Sequence, residues 1–374
     1  GSAGDVVAFK DYANTFDTNA VTLVQNGSDK IGGSTVNATL STEGLAVTLV
    51  FIDSTQGWLV TDSGLQSDSP TAIFVTATGG CVTTSGDFKI HTFTGPGTFT
   101  VSCAGNASGS NTVDYLVVAG GAAGGAHGGD GGTVGGGGGA GGYRFSDGTA
   151  SGSYCAGPAP LGASALPVTA TCFPITVGAG GVSYFPGNCA PGAQGSNSIF
   201  STITSAGGGA GNGAGMTCVA KGNGGSGGGG RGSSTPVGLG SGNTPPVSPP
   251  QGNNGGDGIG PVQGGGGGGA GVAGTPGSPS NPIRGGGGNG LTSCITASPV
   301  ARGGGGGGAN TNSAPNGGTG GGGAGPTSTS GGIGGNGTVN TGGGGGGGPH
   351  GYPSPTANGG AGGSGIVVIR YKFQ

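Results

Sequence analysis

The chain has 374 residues, of which 107 are glycine, with 10 Lys and Arg, 13 Asp and Glu, and a net charge of −3. Phosphate binding needs a basic stripe, which this composition lacks, so a nucleic-acid partner is excluded. No run of about 18 apolar residues is present to form a membrane helix, and the first residues lack the basic-then-apolar order of a secretory leader.

Residues 1–79 predict a small β module. Val6 to Phe9, Val21 to Val24, Leu45 to Ile52, Trp58 to Val60 and Ile73 to Thr76 are rich in β-branched and aromatic residues, with turn formers such as Asn26 and Gly27 between them. In the third of these runs Leu45, Val47, Leu49 and Phe51 point one way while Thr48 and Val50 point the other. Both faces are apolar enough for burial. So short a segment makes only a small core, which predicts that the second face is covered by sister chains.

Residues 80–374 predict a glycine-rich domain that opens on a β layer at 80–119. "FKIHTFTGPGTFTVS" from Phe88 has two alternating arms around Gly95, Pro96 and Gly97, which reads as a hairpin. "VDYLVVA" at 113–119 is a continuous apolar run, the signature of a strand covered on both faces. An insert at 143–204 contains "FPITVGAG" and "NSIFSTITSAGG", expected to return to the β layer. "SGIVVIRYKF" at 364–373 is expected to be a closing central strand, paired near 113–119.

Between these strands, at 119–142 and 205–365, glycine blocks such as Gly264 to Gly269, Gly303 to Gly308 and Gly342 to Gly348 carry no side chain. Their backbone must be the structure, and ordering it costs about 1–2 kcal/mol per residue. A three-residue rhythm in the flanking residues points to how that cost is met. His127, Asp130 and Thr133 are spaced by three, as are Asn254 and Asp257, Ile333, Asn336 and Val339, and Asn358, Ala361 and Ser364. Polyproline II geometry has three residues per turn, so each set forms one ridge while the other two faces stay bare, free to exchange main-chain hydrogen bonds with neighbours. The fold class expected is all-β plus a polyglycine or polyproline II helix bundle, with essentially no α-helix. Collagen is excluded by runs of glycine longer than its strict every-third spacing. A disordered Gly/Ser polymer has no need of Met216, Cys218, Tyr352 or "LTSCITASPVAR" between its blocks.

The series "HTFTGPGTFTV", "DYLVVAGG", "GGGGAGGYR", "ITVGAGG", "GSNSIFSTITSAGGG" and "GGSGIVVIRY" resembles the glycine-rich domain of bacteriophage tail-fibre and other phage structural proteins, over residues 88–371. The N-terminal "GDVVAFKDYANTFDTNAVTLVQNGSDKIGG" resembles a small β module that recurs in phage fibres, commonly as a trimer. The resemblance implies a virion protein on the tail fibre, outside the cell: a receptor-binding adhesin and homotrimer. Its partners would be other fibre or virion proteins and a bacterial outer-surface receptor, either an outer-membrane protein or a glycan. The glycine-rich tips of T-even-like fibre adhesins similarly use stacked polyglycine helices to present loops. This chain departs from them in the longer insert at 143–204.

Catalytic and metal chemistry find few residues to carry them. Glu43 is the sole glutamate, and beyond residue 114 the carboxylates are Asp130, Asp147 and Asp257. His91, His127 and His350 have no second ligand nearby in sequence, so no metal site, cofactor or enzyme activity is indicated. Matches to GxGxxG and GxSxG follow from composition, since no strand and helix frame them. The seven cysteines lack zinc spacing. Pairs such as Cys81 with Cys103 or Cys155 with Cys172 fit disulfides in an oxidising setting, and buried free thiols fit equally.

Recognition remains, and aromatic residues and arginine are preferred contacts. The receptor-loop candidates are Tyr154, Phe173, Tyr184 and Phe185 in the insert, and Met216, Arg231, Arg284, Arg302, His350 and Tyr352 between glycine blocks. Each has an alternative role in capping or covering the bundle. If successive helices are antiparallel, alternate loops share an end. A purely structural virion fibre or decoration protein, and an ice-binding-like polyproline II bundle, are the other readings.

Overall fold

A computed structural model describes residues 1–65, 72–126, 133–152, 154–183, 192–213, 222–233, 239–260, 262–278, 285–311, 313–327, 332–350 and 358–374. It is all-β with no helix among the described residues, and it divides into two units, Gly1–Ala72 and Ile73–Gln374.

In the first unit, β1 (Val6–Lys10), β4 (Leu45–Asp53) and β5 (Gly57–Leu65) form a three-stranded antiparallel sheet, with β2 (Val21–Leu23) and β3 (Ala38–Leu40) as a separate pair. The alternation in β4 holds: Val47, Leu49 and Phe51 are buried while Thr48 and Val50 are half-buried. The core joins Leu40, Val47 and Leu49 to Phe9, Leu23, Ile31 and Trp58. Asp11, 2% exposed, accepts the N–H groups of Thr15, Phe16 and Gly44 at 3.0 Å each. Desolvation pushes its carboxyl up, but these bonds outweigh it and hold the group below its ordinary value.

The second unit begins with β6 (Val75–Thr78), which pairs with β9 (Gly97–Ala104), so the division falls before this strand and not after residue 79. Two sheets share the work of the expected single layer. One contains β7 (Cys81–Ser85), β8 (Phe88–Phe93), β18 (Ile366–Lys372), β10 (Thr112–Val118) and β11 (Tyr143–Phe145), with β12 (Leu166–Pro167) also on β10. The other contains β6, β9, β13 (Cys172–Thr176), β14 (Ser198–Phe200) and β15 (Ile203–Ser205). A last hairpin joins β16 (Leu291–Ser293) and β17 (Val300–Arg302).

The central strands β10 and β18 pair as expected, with Tyr115 opposite Ile369 and Val118 opposite Ile366. The continuous apolar runs follow from burial on both faces. Val113, Tyr115, Val117, Val367, Ile369 and Tyr371 pack with Phe99, Ile175 and Phe200 between the two sheets. Leu116, Val118, Ile366 and Val368 pack with Tyr143, Phe145, Ala156 and Ile295 on the opposite side. Each such side chain contributes about 1.5–3 kcal/mol by leaving water.

The arms around Gly95, Pro96 and Gly97 do not form a hairpin. β8 pairs with β7 and β18, whereas β9 pairs with β6 and β13. The bend is a corner that carries the chain between sheets and places Phe93 and Phe99 in one core. Gly79 and Gly80 make the same crossing between β6 and β7 at φ of +113° and +64°, where a Cβ on Gly79 would collide with the Thr98 carbonyl.

The glycine blocks are ordered rods joined by main-chain hydrogen bonds. Along 264–270 the donors cycle among three neighbours. Gly264, Gly267 and Ala270 bond to Ala309, Gly306 and Gly303; Gly265 and Gly268 to Gly230 and Gly227; Gly266 and Gly269 to Thr275 and Val272, all at 2.8–3.0 Å. The acceptor chain thus changes with a period of three residues. The acceptor numbers fall as the donor numbers rise, so these neighbours are antiparallel. Bare backbone is required at the contacts: a Cβ on Gly267 would lie within 3 Å of the Gly138 carbonyl. The ridge residues Ile333, Asn336 and Val339 are exposed while Gly334 and Gly337 are buried. Rods also occur inside the insert, where Gly181 donates to Gly121, and Gly120 and Ala123 donate to Ser196 and Ala193.

Candidate functional site

The rods have two ends with different surroundings. At one, the hydrogen bonds of Ala119 to Gly142, Gly142 to Ala206, Tyr143 to Gln251 and Gly303 to Thr341 adjoin the strands. At the other, Gly125 bonds to Gly136, Gly136 to Asn212, Gly135 to Gly348, Gly348 to Gly125, Ala309 to Gly135 and Gly308 to Gly285. These bonds tie the far ends of many rods into one layer. Isolated bridges extend it, linking Ser233 to Gly260, Ile259 to Gln263, Gln263 to Asn310, and Asn310 to Thr327.

The described residues Ala126, Thr133, Gly192, Gly213, Ser233, Gly285, Thr327, His350 and Asn358 lie at or beside this far end, and each adjoins, or is within one residue of, a segment outside the described residues. Antiparallel traversal thus brings these described residues to one end. Of the sequence candidates, Arg231 and His350 are half-buried there; Tyr184, Phe185, Met216, Arg284 and Tyr352 lie outside the described residues.

Three candidates sit in the packed β portion. Tyr154 packs against the core beneath β10 and β18, with the Arg370 guanidinium 5.0 Å from its ring centre; burial raises its phenol above the ordinary value. Phe173 lies on β13 opposite Phe99 and packs against the inter-sheet core. Arg302 is 5% exposed on β17, and burial lowers its pKa, opposed by nearby Tyr143. These side chains complete the fold, so Arg302 in particular is withdrawn from contact with a partner.

The sequence reading missed a buried polar group around Asp114. Its carboxylate accepts the Ser146 hydroxyl at 2.7 Å and the Ser151 N–H at 2.8 Å, as well as the Ser151 hydroxyl. An aspartate inside the apolar run "VDYLVVA" was the available signal. Its donors anchor the chain after β11 to the central sheet, a structural arrangement.

Two concave surfaces accompany these features. In the first unit a cavity of about 480 Å³ is lined by Val7, Phe9, Leu23, Ile31, Leu49 and Trp58 among others. Along the rods a groove of about 360 Å³ runs beside Val272, Thr275, Asn289, Ser313 and Asn316. Among the described residues no group of three or more His, Cys, Asp and Glu side chains is placed to hold a metal ion. No helix of the described residues is long and apolar enough to cross a membrane.

No curated protein matches this chain. The profile of the glycine-rich domain family matches residues 92–372, which spans the strands from the end of β8 to β18 and all the rods between them, and on that match the chain belongs to the glycine-rich domain family.

Proposed function

We propose that this chain is a non-enzymatic, fibre-borne adhesin of a bacteriophage, in which the rods are a stiff frame and the far-end connections bind a bacterial outer-surface receptor, an outer-membrane protein or a glycan. The observation that carries the reading is the far-end layer, which ties together rods whose connections differ in sequence. Binding residues concentrate on loops held by rigid elements. Ends fixed by main-chain bonds lose little further freedom on binding, which favours affinity. In this reading the rods are polyglycine II helices and the protein works on the virion tail fibre.

The first unit would attach the adhesin to other fibre proteins as a homotrimer. Exposed apolar residues support association: Val6 is 64% exposed and Val60 56%. Light scattering checks the trimer, and a monomer at micromolar concentration counts against it. Binding of the purified chain to a panel of bacterial cells tests the adhesin. Exchange of residues 349–358 or 231–238 with those of a related protein is expected to change which cells are bound. Absence of binding to all cells would leave a structural fibre part as the better reading.

A further inference from the structure

We propose that Cys155 and Cys294 are a disulfide site that staples the segment after β11 to the β16–β17 hairpin. The two elements lie together over the second core, where Ala156 and Ile295, the residues next to these cysteines, are both buried. The Cys294 N–H donates to the Cys155 carbonyl at 2.7 Å. Such a main-chain bond holds two Cα atoms about 5–6 Å apart, within the range that a disulfide spans. The two thiols influence one another electrostatically, and both are free.

The pairings expected from sequence are not the ones assembled. Cys81 lies on β7 opposite Thr92 and Cys103 on β9 opposite Thr76, in different sheets. Cys172 lies on β13 with its sulfur 3.7 Å from the Thr100 hydroxyl. Cys189 and Cys218 lie outside the described residues. Cys155 and Cys294 are far apart in sequence, so neither spacing nor local motif pointed to them. The linkage would close a long loop, which stabilises most by restricting the unfolded chain.

A small disulfide such as oxidised glutathione is a sufficient oxidant. Cys155, the exposed thiol of the two, attacks as its thiolate; the small S–S bond breaks and one small thiolate leaves with the electron pair. Cys294 then loses its proton to solvent and attacks the Cys155 sulfur, expelling the second small thiolate. Two protein thiols become one disulfide, and the two electrons reduce the small disulfide to two thiols. Burial and the neighbouring Cys155 push the Cys294 thiol up, so the second step quickens as pH rises.

The test uses the full chain incubated with oxidised glutathione at mildly alkaline pH, alkylated, digested with thermolysin without reductant and mapped by mass spectrometry. The expected product is a peptide pair joining Cys155 to Cys294, two hydrogens lighter than the reduced peptides together. It is absent from Cys155→Ser and Cys294→Ser. Oxidation is also expected to raise the melting temperature of the unaltered chain but not of either variant. Alkylation of both cysteines in folded, oxidised protein would overturn the proposal, as would linkage of either to a different cysteine. Both results come from the unaltered chain, so they hold even if a variant fails to fold.

Discussion

Asp114 and Arg370 stand directly opposite each other on the central strands β10 and β18, buried at 0% and 6% exposure, and they do not form a direct ion pair. The carboxylate is taken by Ser146 and Ser151. The guanidinium instead lies over Phe88 and Tyr154, 4.7 and 5.0 Å from the ring centres, and donates to the Ile295 carbonyl at 3.4 Å. The carboxylate thus holds the chain after β11 to the sheet, and the guanidinium contacts both that chain, through Tyr154, and the hairpin, through Ile295. Their mutual attraction is a longer-range addition.

Replacing Asp114 with Ala should remove the acceptor of three donors from Ser146 and Ser151 and leave a buried cation without its neighbouring charge. Loss of one partner from a buried charged group costs about 3–5 kcal/mol. Urea denaturation of Asp114→Ala is expected to show a loss of that order, with Arg370→Met less damaging because it keeps contact with the rings. Equal stability of Asp114→Ala and the parent chain would show that the carboxylate does not anchor the fold.

The rods make a second expectation. Gly267 packs against the Gly138 carbonyl, whereas Gly95 has nothing within 4 Å of where a Cβ would be. Gly267→Ala should therefore destabilise by about 1–3 kcal/mol, as overpacking does in a closed interior, while Gly95→Ala should be close to neutral. Amides along 264–270 should also exchange far more slowly than in a free peptide, because each is bonded to a neighbour. Peptide-like exchange there would remove the rods as a frame.

Much of this architecture could be read from the sequence. Two apolar runs without alternation exposed β10 and β18 because both faces are covered, and the three-residue spacing picked out Ile333, Asn336 and Val339, which are exposed beside the buried Gly334 and Gly337. The corner at Gly95 to Gly97 was not legible, since a glycine–proline turn is compatible with either a hairpin or a change of sheet. Nor was the position of Arg302. Every rod traversed reverses the end at which the next segment emerges, so placing "LTSCITASPVAR" requires counting rods, and glycine blocks do not mark their own boundaries. Tyr154 and Phe173 show the same limit in another form: aromatic residues serve cores and contact surfaces equally well.

His91 gives the fold a pH dependence of known sign. It is 0% exposed, with Nδ1 donating to the Gly79 carbonyl at 2.7 Å and Nε2 accepting from the Tyr371 hydroxyl at 3.1 Å. That arrangement uses the neutral ring. Burial lowers its pKa below 6.5, aided by Lys89 and opposed by the Gly79 bond, while burial pushes the Tyr371 phenol up to about 12. Well above 6.5 His91 is neutral in both folded and unfolded chains and its contribution is complete. As pH falls below that value the unfolded chain takes up the proton first, so stability declines until pH passes the folded pKa. Melting temperatures measured from pH 8 down to pH 5 should fall across this window, and His91→Phe should flatten this part of the profile. An unchanged slope in the variant would assign the effect to other groups.

Arg231 and Arg302 separate binding from stability. Arg231 is half-buried at the far end of the rods, while Arg302 is buried on β17 beside the second core. Truncating a buried arginine removes packing by its long stem as well as its charge. Arg302→Ala should lower the melting temperature, and any loss of cell binding should follow the loss of folded protein. Arg231→Ala and His350→Ala should lower the melting temperature less than Arg302→Ala does, because both are half-buried whereas Arg302 is buried, yet weaken binding to bacterial cells. If both far-end variants bind as the parent does while remaining folded, these side chains are not receptor contacts, and the contact would have to come from other residues of the rods' far-end connections.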